Sequence, residues 1–157
     1  CGPDFILAVR LSPERFGMRT AEIQQLFGWL VESNKVDLID MSLWDVFGDC
    51  HDPDFAGKKL LDQFVSLERG NVMLTVAGKI HTPVDVQRVL DAGVDIVTLG
   101  RAAILHHDYP QKMQADASFS PRTLPVTEAV LAQEGLSPAF IGYMKNWKGF
   151  VVEESAS

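Results

Sequence analysis

Cysteine is scarce in this chain. There are two in 157 residues, Cys1 and Cys50. That is too few for a disulfide framework, and their spacing is not that of a zinc site. Long apolar runs are also missing. Nothing approaches the roughly 20 residues of a membrane-spanning helix, and no secretory leader is visible. Positive charge is in deficit: 14 Lys+Arg stand against 21 Asp+Glu, a formal net charge of −7. This balance favours solubility and argues against nucleic acid or an anionic membrane as the main partner. His51, His81, His106 and His107 show no metal-binding arrangement. Neither a G-x-G-x-x-G nor a Walker sequence occurs, so those nucleotide motifs do not apply. A reducing cytoplasmic setting is the default expectation.

The chain does have enough apolar material for a core. Its hydrophobic fraction of 46% fits a folded globular domain. It starts without Met, and Phe5 already opens an apolar run. Such a start suits a processed domain or a piece of a longer chain.

Periodicity organises the chain. FILAVRL (Phe5 to Leu11) reads as a strand covered on both faces, ended by Ser12-Pro13. Ile23, Leu26, Phe27, Leu30 and Val31 recur at helical spacing, which predicts a helix over Ala21 to Ser33 with Thr20 as N-cap. VDLIDMS (Val36 to Ser42) reads as the second strand. Trp44 to Pro53 reads as polar and flexible. Asp52-Pro53 then opens a helix expected to reach Arg69, with Gly70 at its end. VMLTVA is the third strand, Thr82-Pro83-Val84-Asp85 opens another helix, Ala92-Gly93 closes it, and DIVTLG is the fourth strand. Ala115 to Pro125 reads as a surface connection. Short helices are expected over Val126 to Gln133 and Ser137 to Lys145, followed by an apolar tail with Trp147, Phe150, Val151 and Val152 that should dock on the fold or on a neighbouring subunit.

Strand and helix thus alternate four times. Strands joined by helices must run parallel, so the class is α/β. An open doubly wound sheet and part of a (β/α)8 barrel both fit. A full barrel needs about 250 residues, so four units make half of one.

Two strands end in a glycine followed by a cation, Gly78-Lys79 and Gly100-Arg101. Each pair stands where a parallel strand hands over to a helix. Bare backbone, helix amides and fixed positive charge suit a bound phosphate. Tight turns with solvated cations would give the same letters. Arg10 interrupts an apolar strand near its carboxyl end and needs acceptor atoms, either on a ligand or on a neighbouring carboxylate such as Asp40. Asp40, Ser42, Trp44 and Asp45 surround the end of the second strand, where they line a pocket or cap loops. His106 and His107 read as helix-start surface, Cys50 as an accessible, incidental thiol, and Asp95 as a turn residue.

Together these residues resemble the C-terminal half of the Old Yellow Enzyme family of FMN-dependent oxidoreductases. The resemblance rests on FILAVRLSPERFG, on VAGKIHTPVDVQRVLDAGVDIVTLGRAAILHHDYPQKM and on LSPAFIGYMKNWKGFV. It implies strands five to eight of a (β/α)8 barrel over residues 1–114 and a helical extension over 115–157. It also implies FMN as cofactor, with Arg10 at the pyrimidine edge of the flavin and Gly78, Lys79, Gly100 and Arg101 at its phosphate. NADH or NADPH would supply hydride, and a small activated alkene such as an α,β-unsaturated carbonyl would receive it. The family's substrate-activating and proton-donating residues would lie upstream of Cys1, and neither Tyr109 nor Tyr143 falls at the donor's position. The chain alone is therefore expected to be catalytically incomplete, and to pair with the missing barrel half or with a second copy. Competing expectations are a phosphate-binding barrel half of a sugar-phosphate isomerase or aldolase, and a non-catalytic half-barrel assembly module.

Overall fold

The computed structural model describes residue 2 and residues 4–152; Cys1, Pro3 and residues 153–157 lie outside them. The chain divides into two compact units, one formed by Cys1–Ile80 with Asp85–Leu99, the other by His81–Val84 with Gly100–Ser157.

The first unit is a parallel sheet alternating with helices. Strands β1 (Ala8–Leu11), β2 (Leu38–Ser42), β3 (Met73–Ala77) and β4 (Ile96–Thr98) lie side by side in chain order, and every pairing is parallel. Helix α1 (Thr20–Glu32) links β1 to β2. A 3-10 turn (Pro53–Phe55) and α2 (Asp62–Val65) link β2 to β3, and α3 (Pro83–Asp91) links β3 to β4.

The sheet has two unlike faces, as the period-2 alternation of a strand requires. Ile39, Met41, Leu74 and Val76 point to one face and are fully buried. The other face carries Arg10, Asp40 and Thr75 in register across three strands. Ser42, Ala77 and Thr98 form the next row, and the Thr75 and Thr98 hydroxyls lie 2.8 Å apart, bridging β3 to β4.

The expectation that Phe5 to Leu11 forms a strand covered on both faces needs correction. β1 begins only at Ala8, Leu11 is its one buried residue, and Phe5 and Ile6 are exposed. As an edge strand, β1 has a neighbour on one side only.

Four other local expectations shift. Thr20 lies inside α1 and is not its cap. Its hydroxyl donates to Glu14 (2.9 Å); Arg19 holds the cap position, its backbone N–H donating to Glu22 at 2.9 Å, and Asp52 accepts from the Thr20 N–H at 3.0 Å. The stretch Trp44 to Pro53 is pinned, not loose: Val46 N donates to Gly78 O and Cys50 N to Lys58 O. Cys50 is buried, and burial together with nearby acids pushes its thiol pKa up. Asp52 does cap the turn that follows, accepting from Asp54 N at 3.2 Å. The expected long helix breaks into the 3-10 turn and α2 because Gly57 takes a positive φ of 77° between them.

The second unit is helical: α4 (Arg101–Leu105), α5 (Tyr109–Ala115), α6 (Glu128–Gln133) and α7 (Pro138–Lys145). Thr127 and Ser137 cap the last two through their hydroxyls, contacts worth about 1 kcal/mol each. Leu105, Val126, Leu131, Ile141, Met144, Phe150 and Val151 form its core. The apolar tail docks there as anticipated: Val126 N donates to Phe150 O, and Val152 N to Val126 O. Among the described residues, no helix is long and apolar enough to cross a membrane.

Candidate functional site

In a parallel sheet, ligands gather at the carboxyl ends of the strands. Arg10 stands near that end of β1, with its side chain 55% exposed. One terminal nitrogen faces Asp40 at 3.3 Å, and the other donates to Ser42 at 3.0 Å. The neighbouring-carboxylate partner weighed for Arg10 is therefore present. Burial pushes the Asp40 carboxyl up, and the Arg10 charge only partly offsets that. Asp40 also keeps one buried oxygen without a hydrogen-bond partner.

The Gly78-Lys79 turn follows β3. Its backbone is pressed against the β2 loop: a Cβ on Gly78 would stand 2.9 Å from the Trp44 carbonyl carbon and 3.0 Å from Asp45 N. Only glycine fits that approach. Lys79 itself has φ 49°, and its ammonium meets Asp45 at 2.9 Å. That hydrogen bond lowers the Asp45 pKa despite some burial; the N–H groups of Phe47 and Gly48 act in the same direction. No helix begins directly at this turn, since α3 starts at Pro83.

In the second unit, Gly100 is the residue before α4, with φ −97°, and a Cβ there would meet nothing within 4 Å. Arg101 opens α4 and lies over the Trp147 ring at 5.6 Å. The helix has only five residues, so its dipole contributes little to anion binding.

The other end of α4 holds a network that the sequence did not reveal. His106 was expected at the surface but is 3% exposed. It sits edge-on to Tyr109 and Phe119. Its Nε2 accepts from the Arg122 backbone N–H at 2.9 Å. Burial, and then the Arg122 charge, lower its pKa. The Arg122 guanidinium donates to Leu105 O and to Glu134. Glu134 also accepts from the backbone N–H of His107 at 3.0 Å and contacts its ring at 2.7 Å. Burial alone would raise the Glu134 pKa, but His107 and Arg122 together hold it down to about 2.

His106, Asp108 and Glu134 place ligand-type atoms within 4.8 Å of one another. The Arg122 guanidinium already donates to Glu134, so the cluster has its countercharge within the chain. No pairwise spacing rule gathers these residues, because they meet only when the connection after α5 folds back. Neither a family model nor a curated protein sequence matches the chain.

Proposed function

We propose that the chain is the FMN-binding C-terminal half of a (β/α)8 barrel of the Old Yellow Enzyme type. The parent would be an NAD(P)H-dependent oxidoreductase of activated alkenes such as α,β-unsaturated carbonyls, and this half alone is catalytically incomplete. The observation that carries the reading is Arg10. It is a half-exposed guanidinium near the carboxyl end of β1, on a sheet face lined by Asp40, Ser42, Thr75 and Thr98. Asp40 and Ser42 engage it through one contact at each terminal nitrogen, and a guanidinium has five N–H donors. The remainder of that fork suits the pyrimidine edge of a flavin.

Bound FMN would supply the hydride chemistry; the chain's own task is to hold and polarise it. Lys79 and Arg101 bring charge and Gly100 brings open backbone, which are the donor types a phosphate needs, while Gly78 fixes the turn that carries Lys79. The open sheet supports the barrel part of the reading. β1 and β4 are edges, and Phe5 (58%), Ile6 (69%), Met73 (40%) and Ile96 (41%) are exposed. A second barrel half would pair those edges and cover that surface.

The test is the absorbance spectrum of the chain after incubation with FMN and desalting. Retained flavin bands that disappear in Arg101→Ala are the expected result. A folded chain that retains no flavin, alone or within the longest natural chain containing it, would overturn the reading. The exposed apolar residues also favour a second reading, a half barrel that pairs with its own copy. It predicts an obligate dimer whose sedimentation is unaffected by FMN.

A further inference from the structure

A pocket of about 250 Å³ lies wholly within the first unit, beside the loops that follow β1, β2 and β3. Glu14, Arg15, Leu43, Trp44, Leu60 and Lys79 are among the residues that line it. Its floor is apolar, with Leu43 and Leu60 buried at 3% and 4%. Its wall is an aromatic ring left in the open: Trp44 is 63% exposed. Exposing a tryptophan forfeits a large part of its burial energy, so its position requires a reason.

Trp44 is held there at some cost. Its φ is +64°, in the left-handed region that a bulky residue rarely adopts. The backbone around it is fixed by Asp45 N donating to Leu43 O at 2.6 Å and Val46 N donating to Gly78 O at 3.1 Å, with Gly78 packed directly beneath. Arg15 lies over the ring at 4.6 Å. Glu14, its neighbour in sequence, has φ +59° and is locked by Thr20, His51 N and Asp52 N, which donate to its carboxylate. Strained backbone on both loops thus presents a rigid ring and a guanidinium to one cavity.

The charges decide what the cavity would accept. Lys79 pairs with Asp45, and Asp49 with Lys59. The Glu14 carboxylate is buried and is turned onto the Thr20 hydroxyl and the backbone N–H groups of His51 and Asp52. Among the described residues Arg15 makes no ion pair, and its guanidinium lies over the Trp44 face. The wall therefore presents one guanidinium without an acidic partner next to one stacking surface. The volume is below the range for drug-sized ligands, which limits the guest to one ring system.

We propose that this pocket binds a planar aromatic ring bearing an anionic group, stacked on Trp44 and paired with Arg15. Mononucleotides and aryl carboxylates share that chemistry. The site borders the FMN phosphate reading at Lys79 but uses neither Arg10, Gly100 nor Arg101, so Arg101→Ala separates the two.

The experiment titrates adenosine 5′-monophosphate, adenosine and benzoate into a Trp29→Phe, Trp147→Phe background, where Trp44 alone reports by fluorescence. Expected are saturation by the monophosphate below about 1 mM and binding by adenosine weaker by about tenfold or more, because it lacks the charge that Arg15 meets. Weak saturable quenching by benzoate shows that ring and anion suffice; a benzoate silent at all concentrations, with the monophosphate bound, overturns the general form of the proposal. Arg15→Gln should weaken monophosphate binding about tenfold, and in the otherwise unchanged chain Trp44→Ala should do the same by calorimetry, both with unchanged circular dichroism. Arg101→Ala, which removes flavin under the preceding reading, should leave it intact. Equal binding of adenosine, no saturation with the monophosphate, or loss in Arg101→Ala but not in Arg15→Gln would each overturn the proposal.

Discussion

The turns Gly78-Lys79 and Gly100-Arg101 read alike in sequence, but the structure uses them differently. The first is built into its surroundings. Gly78 is wedged under the Trp44 backbone, and Lys79 is tied to Asp45. The second is open at its own position: space exists beside Gly100, and Arg101 rests on an aromatic face, not on a carboxylate. Its anchorage comes from the far end of α4, where Leu105, His106 and His107 are gripped by Arg122 and Glu134. A glycine-cation pair can thus be a structural joint or a presented surface, and only its neighbours distinguish the two.

The largest expected effect is at that far anchorage. Glu134→Gln would remove a buried carboxylate that Arg122 and His107 share, while the partly exposed Arg122 guanidinium keeps access to water, and should cost about 2 kcal/mol, measured by denaturant unfolding. Its pH signature follows from the lowered pKa. The folded value of about 2 lies below the ordinary 4.5, so the stabilisation is complete above 4.5 and is lost as pH falls toward 2. The wild-type chain should weaken over that window, and Glu134→Gln should show a flatter acid limb. Equal acid sensitivity in both would mean that Arg122 and His107 are not what hold α4.

The two glycines provide a more direct comparison. Gly78→Ala must displace backbone at Trp44 and Asp45, an overpacking cost of about 1–3 kcal/mol. Gly100→Ala meets no atom and should cost less than about 1 kcal/mol. Paired thermal melts check this. If Gly100→Ala proves the more damaging, the assignment of joint and surface is reversed.

Much of this organisation could be read from the sequence. Four alternating units, the parallel sheet, Asp52 as a cap and the docking of Phe150 and Val151 all follow from local periodicity and capping chemistry. What stayed hidden was non-local. Thr20 looked like a cap because the acceptor for its own N–H, Asp52, comes from a distant loop, which moves the cap position back to Arg19. His106 looked exposed because its burial depends on Phe119 and Arg122, which no helical spacing connects to it. Arg10 left two readings open in the sequence. The structure provides the carboxylate partner and still leaves the side chain half exposed. Trp44 was visible as a residue near a strand end, but its left-handed backbone and the Arg15 stack arise from the Gly78 approach, which is a tertiary fact.

The smallest expected effect is also the one that most sharpens the comparison. Lys79 spends its charge on Asp45, at a pair whose side chains are 57% and 37% exposed. Such a pair is worth about 0–1 kcal/mol, so Asp45→Asn should barely move stability. It would, however, release the ammonium and remove a negative charge from the β2 loop. If Lys79 contributes to an anion site, flavin retention should rise in Asp45→Asn at low salt, and the gain should shrink as salt screens the exposed charge. Arg101 has no such competitor among the described residues, so Arg101→Ala should reduce retention more than Lys79→Ala. The opposite order, or a fall in retention for Asp45→Asn, would mean that the Lys79–Asp45 contact belongs to the site as a unit and that the turn works only when it is tied down.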